Sequence, residues 1–378
     1  MSVIVGLPRL FRRHEYPGFW EDFFRILNID VVFSPPTDTN LFNTGIKKSS
    51  GDACLPLKVL HGHVASLRDQ TDAVFVPRFI YPTVVESACP KFCALPDILR
   101  LNLPDMTLLE TTVDFKKGMA YTLSSLDSLT MALSLNPEVV RSAFLQAMTR
   151  PDVPWQGNMP WVKKNTHWRQ DDHVRCAPGI GCLEKSRAQS IRDRLQGQDN
   201  QDRQSRAGHK THLESPSMDA SSRKPAHKQA IALIGHTYLT QDTFLTMNLR
   251  TKIAKYGYEV MDSEAVPYNL KRQRCHPFQN RLFWGVGVES LGTALTLMND
   301  PRIKGLIYIT SFSCGIDSIV LELLERQTQT FPAKPRMRLC LDEHTGESGF
   351  DTRLEAFFDL LERQLNMDHP TGGEVRTS

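Results

Sequence analysis

The sequence predicts an α/β protein built from two doubly wound parallel-sheet domains. Three observations carry this expectation. Strand and helix signals alternate as βαβαβ through residues 1–150, a rhythm that calls for a parallel sheet with helical crossovers. The same alternation returns over residues 229–366. Between them, residues 151–228 are dense in Gln, Asp, Arg, Ser, Lys and His and nearly free of apolar periodicity after Trp168. Such a stretch cannot bury enough surface to offset its ordering entropy, so a disordered insertion between two cores is expected. Residues 367–378 are expected to form a loose tail. The halves share an architecture but no residue-level repeat.

The elements follow in order. "SVIVG" (2–6) reads as a strand ending at glycine. "FWEDFFRILN" (19–28) sets Phe19, Phe23 and Leu27, with Trp20 and Phe24 one step round, on one helical face. "DVVFS" (30–34) is a strand closed by Pro35 and Pro36, "CLPLKVLHGHVASL" (54–67) a helix entered near Pro56, and "DAVFVPR" (72–78) the next strand. Asn136 and Pro137 supply an N-cap and first-turn proline for "EVVRSAFLQAM". In the second half, strands are expected at 230–236, 258–263, 305–310 and 338–343. Helices are expected at 243–257 (capped by Gly257), 289–300, 317–327 and 352–365.

Composition narrows the class. The chain has 378 residues, 40% of them hydrophobic, enough for two or three cored domains. No run approaches the ~20 apolar residues of a membrane helix, and the first residues lack the layout of a secretory signal. A soluble, cytoplasmic protein without membrane contact is expected. A net charge of +3, from 45 basic and 42 acidic residues, offers no footprint for nucleic acid. Eight cysteines in this length do not make a disulfide scaffold and point to packing residues, metal ligands or catalytic thiols. No phosphate-binding loop, G-x-G-x-x-G or G-x-S-x-G motif occurs; "FWGVGVES" (283–290) has only two spaced glycines, and nothing reads as an ATPase core.

Chemistry concentrates in loops at element ends. In "KGLIYITSFSCGIDS" (304–318), Cys314 stands in the break between a buried strand and a helix, where open α/β sheets bind ligands. Cys54 lies at a helix start in "SSGDACLPLK", where the dipole favours a thiolate. Cys89 and Cys93 lie in "ESACPKFCALPD". Any one of them, taken singly, reads equally as a small buried hydrophobe, and Cys340, inside a strand, reads best that way. Spacing alone does not announce a metal, since local C-x₂-C pairs are missing. Cys176 and Cys182 sit in the polar insertion and read as exposed thiols. His61 and His63, two turns beyond Cys54, are either acid/base groups or a polar helix face. "LCLDEHTGESG" (339–349) crowds Asp342, Glu343, His344 and Glu347 at a strand end, a site rim or an N-cap cluster. His236 holds the equivalent place in "LIGHTYLTQD".

Five stretches, "SSGDACLPLKVLHGHV", "DAVFVPRF…CPKFCALPDILR", "IALIGHTYLTQDTFLTMNL", "ITSFSCGIDSIVLELLER" and "LDEHTGESGFDTRLEAF", resemble, in this order, the uncharacterised domain associated with activases of 2-hydroxyacyl-CoA dehydratases. That domain is similar to the iron–sulfur subunits of those dehydratases and to double-cubane cluster proteins. The resemblance covers residues 1–105 and 229–366. It implies two Rossmann-like domains with a 4Fe-4S cluster, or a double-cubane variant, in the cleft between them. Residue by residue, it implies Cys54, Cys89 and Cys314 as the iron ligands, leaving one iron open. Ser313 stands where the family carries a small residue, often glycine. Residues 151–228 do not resemble the family's interdomain helix, and the ATP-binding domain fused to this one in long activases is absent from these residues.

Two functions are implied. One is low-potential electron transfer or reductive or dehydrating chemistry on an acyl-CoA thioester, as a dehydratase-like lyase or a reductase component of anaerobic metabolism. His61, His63 or His344 would then move protons. The other is a non-catalytic scaffold that docks an ATP-dependent activase or a dehydratase subunit. Homodimers are expected by family analogy only.

Overall fold

The computed structural model of the chain describes residues 3–10, 18–149, 228–278, 282–328 and 334–368. The expected insertion, all but its last position, Cys176 and Cys182 within it, and the tail from residue 369 lie outside the described residues. The first half contains β1 (Ile4–Leu7), α1 (Phe19–Ile26), β2 (Asp30–Phe33), α2 (Thr39–Lys48), α3 (Leu55–Ala65), β3 (Ala73–Phe75), β4 (Arg78–Tyr81), α4 (Pro90–Cys93), α5 (Leu95–Asn102), β5 (Leu108–Leu109), β6 (Thr112–Asp114), α6 (Met119–Ser124), α7 (Asp127–Ala132) and α8 (Pro137–Ala147). Its sheet runs β2-β1-β3-β5 with every pair parallel, Val5 standing opposite both Val31 and Ala73. β4 and β6 pair in parallel and prolong the β3–β5 ladder through Val76 N–H to Leu109 O and Arg78 N–H to Thr111 O, each 2.8 Å.

The second half contains β7 (Ala230–Ile234), α9 (Thr237–Thr240), α10 (Leu249–Lys255), β8 (Glu259–Met261), α11 (Tyr268–Cys275), α12 (Gly285–Leu297), β9 (Ile303–Ser311), α13 (Gly315–Thr328), β10 (Arg336–Leu341) and α14 (Glu347–Asp368). Its sheet runs β10-β9-β7-β8, again all parallel. The mixed α/β class and the parallel sheets are therefore as the sequence predicts.

Local chemistry explains the elements. The apolar face of α1 buries Phe19, Trp20, Phe23 and Phe24 against Phe75 and Phe144. Asn136 caps α8, its side chain accepting from Glu138 N–H at 2.8 Å, with Pro137 opening the first turn. All five residues of β7 are buried, which is why it reads as an unbroken apolar run. Two glycines let α2 lie directly on α3. A Cβ on Gly45 would stand 2.1 Å from Lys58 O, and one on Gly62 2.2 Å from Leu41 O. One expected helix is shorter than its pattern. Over 243–257 only Leu249–Lys255 is regular α-helix, because Met247 and Asn248 take left-handed φ of 50° and 56° and the Asp242 carboxylate caps its own turn at Phe244 and Leu245. The glycines of "FWGVGVES" enter the first turn of α12, where a Cβ on Gly287 would press on Leu282 at 2.7 Å, so their role there is packing.

Both sheets belong to one unit, Val3–Asn165 with His227–Ser378. One apolar cluster contains Val5 and Phe75 of the first sheet together with Ile231, Ile307 and Leu341 of the second. A parallel bridge pairs Ser87 with Trp284, and buried Glu86 accepts from Tyr268 OH and pairs with Arg272 at 3.1 Å. No helix among the described residues is long and apolar enough to cross a membrane.

Candidate metal centre

Four sulfur or nitrogen donors stand immediately before helices. Cys54 is the N-cap of α3, Cys89 that of α4 and His236 that of α9. Cys314 precedes α13, its carbonyl accepting from Ser318 N–H at 3.3 Å. Over the long helices α3 and α13 the unpaired first-turn N–H groups and the dipole favour negative charge. The turns that present these donors are specific. Gly235 has φ 153°, and a Cβ there would meet Ile309 O at 2.5 Å, so only glycine lets β7 turn so tightly into His236. Ser313, next to Cys314, adopts φ 63°.

The two halves meet at these loops. Leu55 N–H, at the head of α3, donates to Ser311 Oγ at 3.0 Å, three residues before Cys314. Lys91 Nζ donates to Ser313 O at 3.2 Å. Lys58, buried in α3, pairs with Glu343 at the end of β10, and this cation holds the Glu343 carboxyl below its ordinary range. The three thiols expected as ligands are electrostatic neighbours. Burial pushes the Cys314 thiol up, and Asp317, Cys54 and Cys89 push it further. Burial raises Cys89, and the charge of Cys54 adds to this. The buried phenol of Tyr238 is raised well above its ordinary value by burial and then by Cys314, Cys54 and Cys89. Tyr238 stacks on Phe92 with ring centroids 6.3 Å apart.

A second set of donors surrounds Cys314. The ligand atoms of His236, Cys314 and Asp317 all lie within 4.8 Å of one another, a group able to hold a metal ion. His236 Nδ1 and the Tyr238 hydroxyl share a hydrogen bond. His236 Nε2 lies 3.0 Å from Asp317 Oδ1, yet off the direction a hydrogen bond needs, and has no hydrogen-bond partner. Asp317 accepts from Tyr308 OH and Ser311 N–H, each at 3.3 Å. Burial opposes the imidazolium of His236, but Asp317 and then Glu289 outweigh it and raise its pKa. The sequence signal for His236 is its strand-end position; Asp317 reads only as the opening of a helix.

The remaining candidates have other surroundings. His61 is buried, donating from Nδ1 to Leu57 O at 2.7 Å and meeting Asn102 Nδ2 at 2.9 Å; burial lowers its pKa. His63 is buried between Ser34 Oγ (2.8 Å) and Thr37 Oγ1 (3.2 Å), and burial, aided by Arg9, lowers it to about 4. His344 is exposed, its backbone N–H bonded to Asp342. Cys93 follows Cys89 into α4 and is raised by burial and by Cys89. Cys275 is a packing thiol, pushed up to about 12 by burial. Arg78, at the start of β4, is engaged in a bidentate pair with Asp97 at 2.7 and 2.9 Å.

The donor chemistry fits a metal or cluster. Cys54, Cys89, Cys93, Cys275, Cys314 and Cys340 are all free thiols. Deprotonating these electrostatically coupled thiols would set like charges beside one another, and a bound cation would offset that charge. Residues 4–153 match the family model of the CoA enzyme activase uncharacterised domain. That stretch includes Cys54 and Cys89, whereas Cys314, His236 and Asp317 lie beyond it. A comparison with curated proteins finds no match.

Proposed function

Starting from residues 4–153 as an activase-associated domain, we propose that the chain is an iron–sulfur protein of an activase/dehydratase system, in which Cys54, Cys89 and Cys314 hold a 4Fe-4S cluster between two Rossmann-like domains. The observation that carries this reading is the mutual electrostatic proximity of three free thiols drawn from the helix-start loops of two parallel sheets. Bound there, such a cluster would supply one-electron transfer and an open iron with Lewis-acid character.

The chain's own residues do the rest. The N-terminal ends of α3 and α13 lie beside Cys54 and Cys314, where they would offset part of the negative charge of a thiolate-bound cluster. Lys91 brings positive charge to the Cys314 loop. The substrate class of this reading is an acyl-CoA thioester and the partner class an ATP-driven activase or dehydratase subunit; the matched description, which names a CoA enzyme activase, agrees with such a system.

The test is anaerobic reconstitution with iron and sulfide. The full chain is expected to gain both, with broad visible absorption, and Ser variants of Cys54, Cys89 or Cys314 to lose most of it. The paired Cys176→Ser/Cys182→Ser change is expected to leave loading intact. A folded chain that takes up neither iron nor sulfide would reject the cluster and leave a scaffold that docks an activase or dehydratase.

A further inference from the structure

Cys314 serves two donor sets. One consists of thiols, the other of a nitrogen, a sulfur and a carboxylate. We propose that His236 Nε2, Cys314 Sγ and a carboxylate oxygen of Asp317 form a mononuclear site for a zinc-like divalent transition metal, sharing Cys314 with the three-thiol group and therefore competing with it.

Four features of the geometry carry this. The three ligand atoms lie within 4.8 Å of one another. Tetrahedral coordination at bond lengths of about 2.0–2.3 Å requires only a small further closure from there. His236 Nε2 is buried and lies 3.0 Å from Asp317 Oδ1 without a well-directed hydrogen bond, so a cation seated between nitrogen and carboxylate would take the place of that pairing. Its other nitrogen is tied to Tyr238; with Nδ1–H donating to the phenol oxygen, Nε2 presents its lone pair. Asp317 is likewise held by Tyr308 and Ser311, which orient the carboxylate without using all its lone pairs.

The mixed N, S, O set suits a borderline-soft ion and disfavours magnesium or calcium, which select oxygen. Three protein ligands leave a fourth position open for water or a substrate oxygen, as in catalytic zinc sites. Metal entry displaces the thiol proton of Cys314 and any proton on His236. As a terminal ligand Cys314 serves one centre at a time, so zinc held here would compete with a cluster for the same thiolate.

Co²⁺ serves as the probe, titrated anaerobically into the chelator-stripped full chain carrying Cys176→Ser and Cys182→Ser. A single tetrahedral Co²⁺ with thiolate-to-metal charge-transfer absorption is expected. Adding Cys54→Ser and Cys89→Ser is expected to leave that signal in place, while Cys314→Ser removes the charge-transfer band. His236→Gln and Asp317→Asn are each expected to weaken binding by roughly a hundredfold or more, beyond the ~10–100-fold typical of losing only a ligand's hydrogen-bond partner. Tyr238→Phe, which keeps the ring, is expected to weaken it about tenfold and guards against misfolding of the ligand variants. Unchanged affinity in both His236→Gln and Asp317→Asn would overturn the proposal. So would loss of Co²⁺ on removing Cys54 and Cys89, an outcome that leaves the three-thiol reading standing. Failure of cluster reconstitution alongside retained Co²⁺ binding would instead reject the cluster and leave this site intact.

Discussion

Ser313 carries a local backbone cost beside Cys314. Its φ of 63° is left-handed, and a side chain there costs about 1–2 kcal/mol. Glycine would remove that strain and add unfolded-state entropy, so Ser313→Gly is expected to stabilise the chain by about 0.5–1 kcal/mol in urea unfolding; a destabilised variant would show that the Ser313 side chain makes an offsetting contact. His63 makes the second residue-scale prediction. Ser34 donates to Nδ1, and Nε2–H donates to Thr37, whose hydroxyl donates to Asp242 at 2.5 Å. That relay needs a neutral ring. Its folded pKa of about 4 lies below the ordinary 6.5, so the unfolded chain binds more protons in this window. The stabilisation is complete above about pH 6.5 and declines as pH falls towards 4. Between pH 7.5 and 5 the loss is about 2 kcal/mol. Wild type should lose that much more stability over this range than His63→Gln; parallel pH profiles would contradict the assignment.

At the scale of elements, the α2–α3 contact sets where Cys54 stands. Gly45 and Gly62 bring the two backbones together, so a methyl group at either has nowhere to go. Alanine gains about 1 kcal/mol of helix propensity over glycine, but overpacking against backbone typically costs ~1–3 kcal/mol or more. Backbone carbonyls cannot rotate aside, so the steric term wins. Gly45→Ala is expected to destabilise by about 1–2 kcal/mol net and, by displacing the head of α3, to lower reconstituted iron content. Wild-type melting and wild-type iron in this variant would show that α2 can shift without moving Cys54.

At the scale of the molecule, the shared apolar cluster, the Ser87–Trp284 bridge and the Glu86 pairings bind the two sheets into one cooperative body. Trp20 reports from the first half and Trp284 from the second. Single-Trp variants that retain only Trp20 or only Trp284, with the other four of the five tryptophans replaced by Phe, are expected to give coincident urea midpoints. Two separated midpoints would mean that each sheet holds its fold without the other. Glu86→Ala takes the buried carboxylate away from the half-buried Arg272 and is expected to cost about 1–3 kcal/mol and move both midpoints together.

By itself the sequence determined the parallel α/β class, because buried strands such as β7 are written as apolar runs and helices such as α1 as a 3.6-residue stripe. It determined that Cys54, Cys89 and Cys314 stand at element ends, because proline and glycine mark those ends. It also determined the cap at Asn136 and the stop at Gly257, which are local chemistry. The late start of the expected 243–257 helix was not legible, since two left-handed residues and a carboxylate cap overrode a helical pattern. Only the tertiary structure brought thiols 35 and 225 residues apart along the chain within electrostatic range of one another. Only it set His236 and Asp317 beside Cys314 while His61 and His63 went to buried hydrogen bonds. Burial and charge pairing depend on what packs opposite, and a residue's partner across two sheets is set by the path of the whole chain, not by its neighbours in sequence.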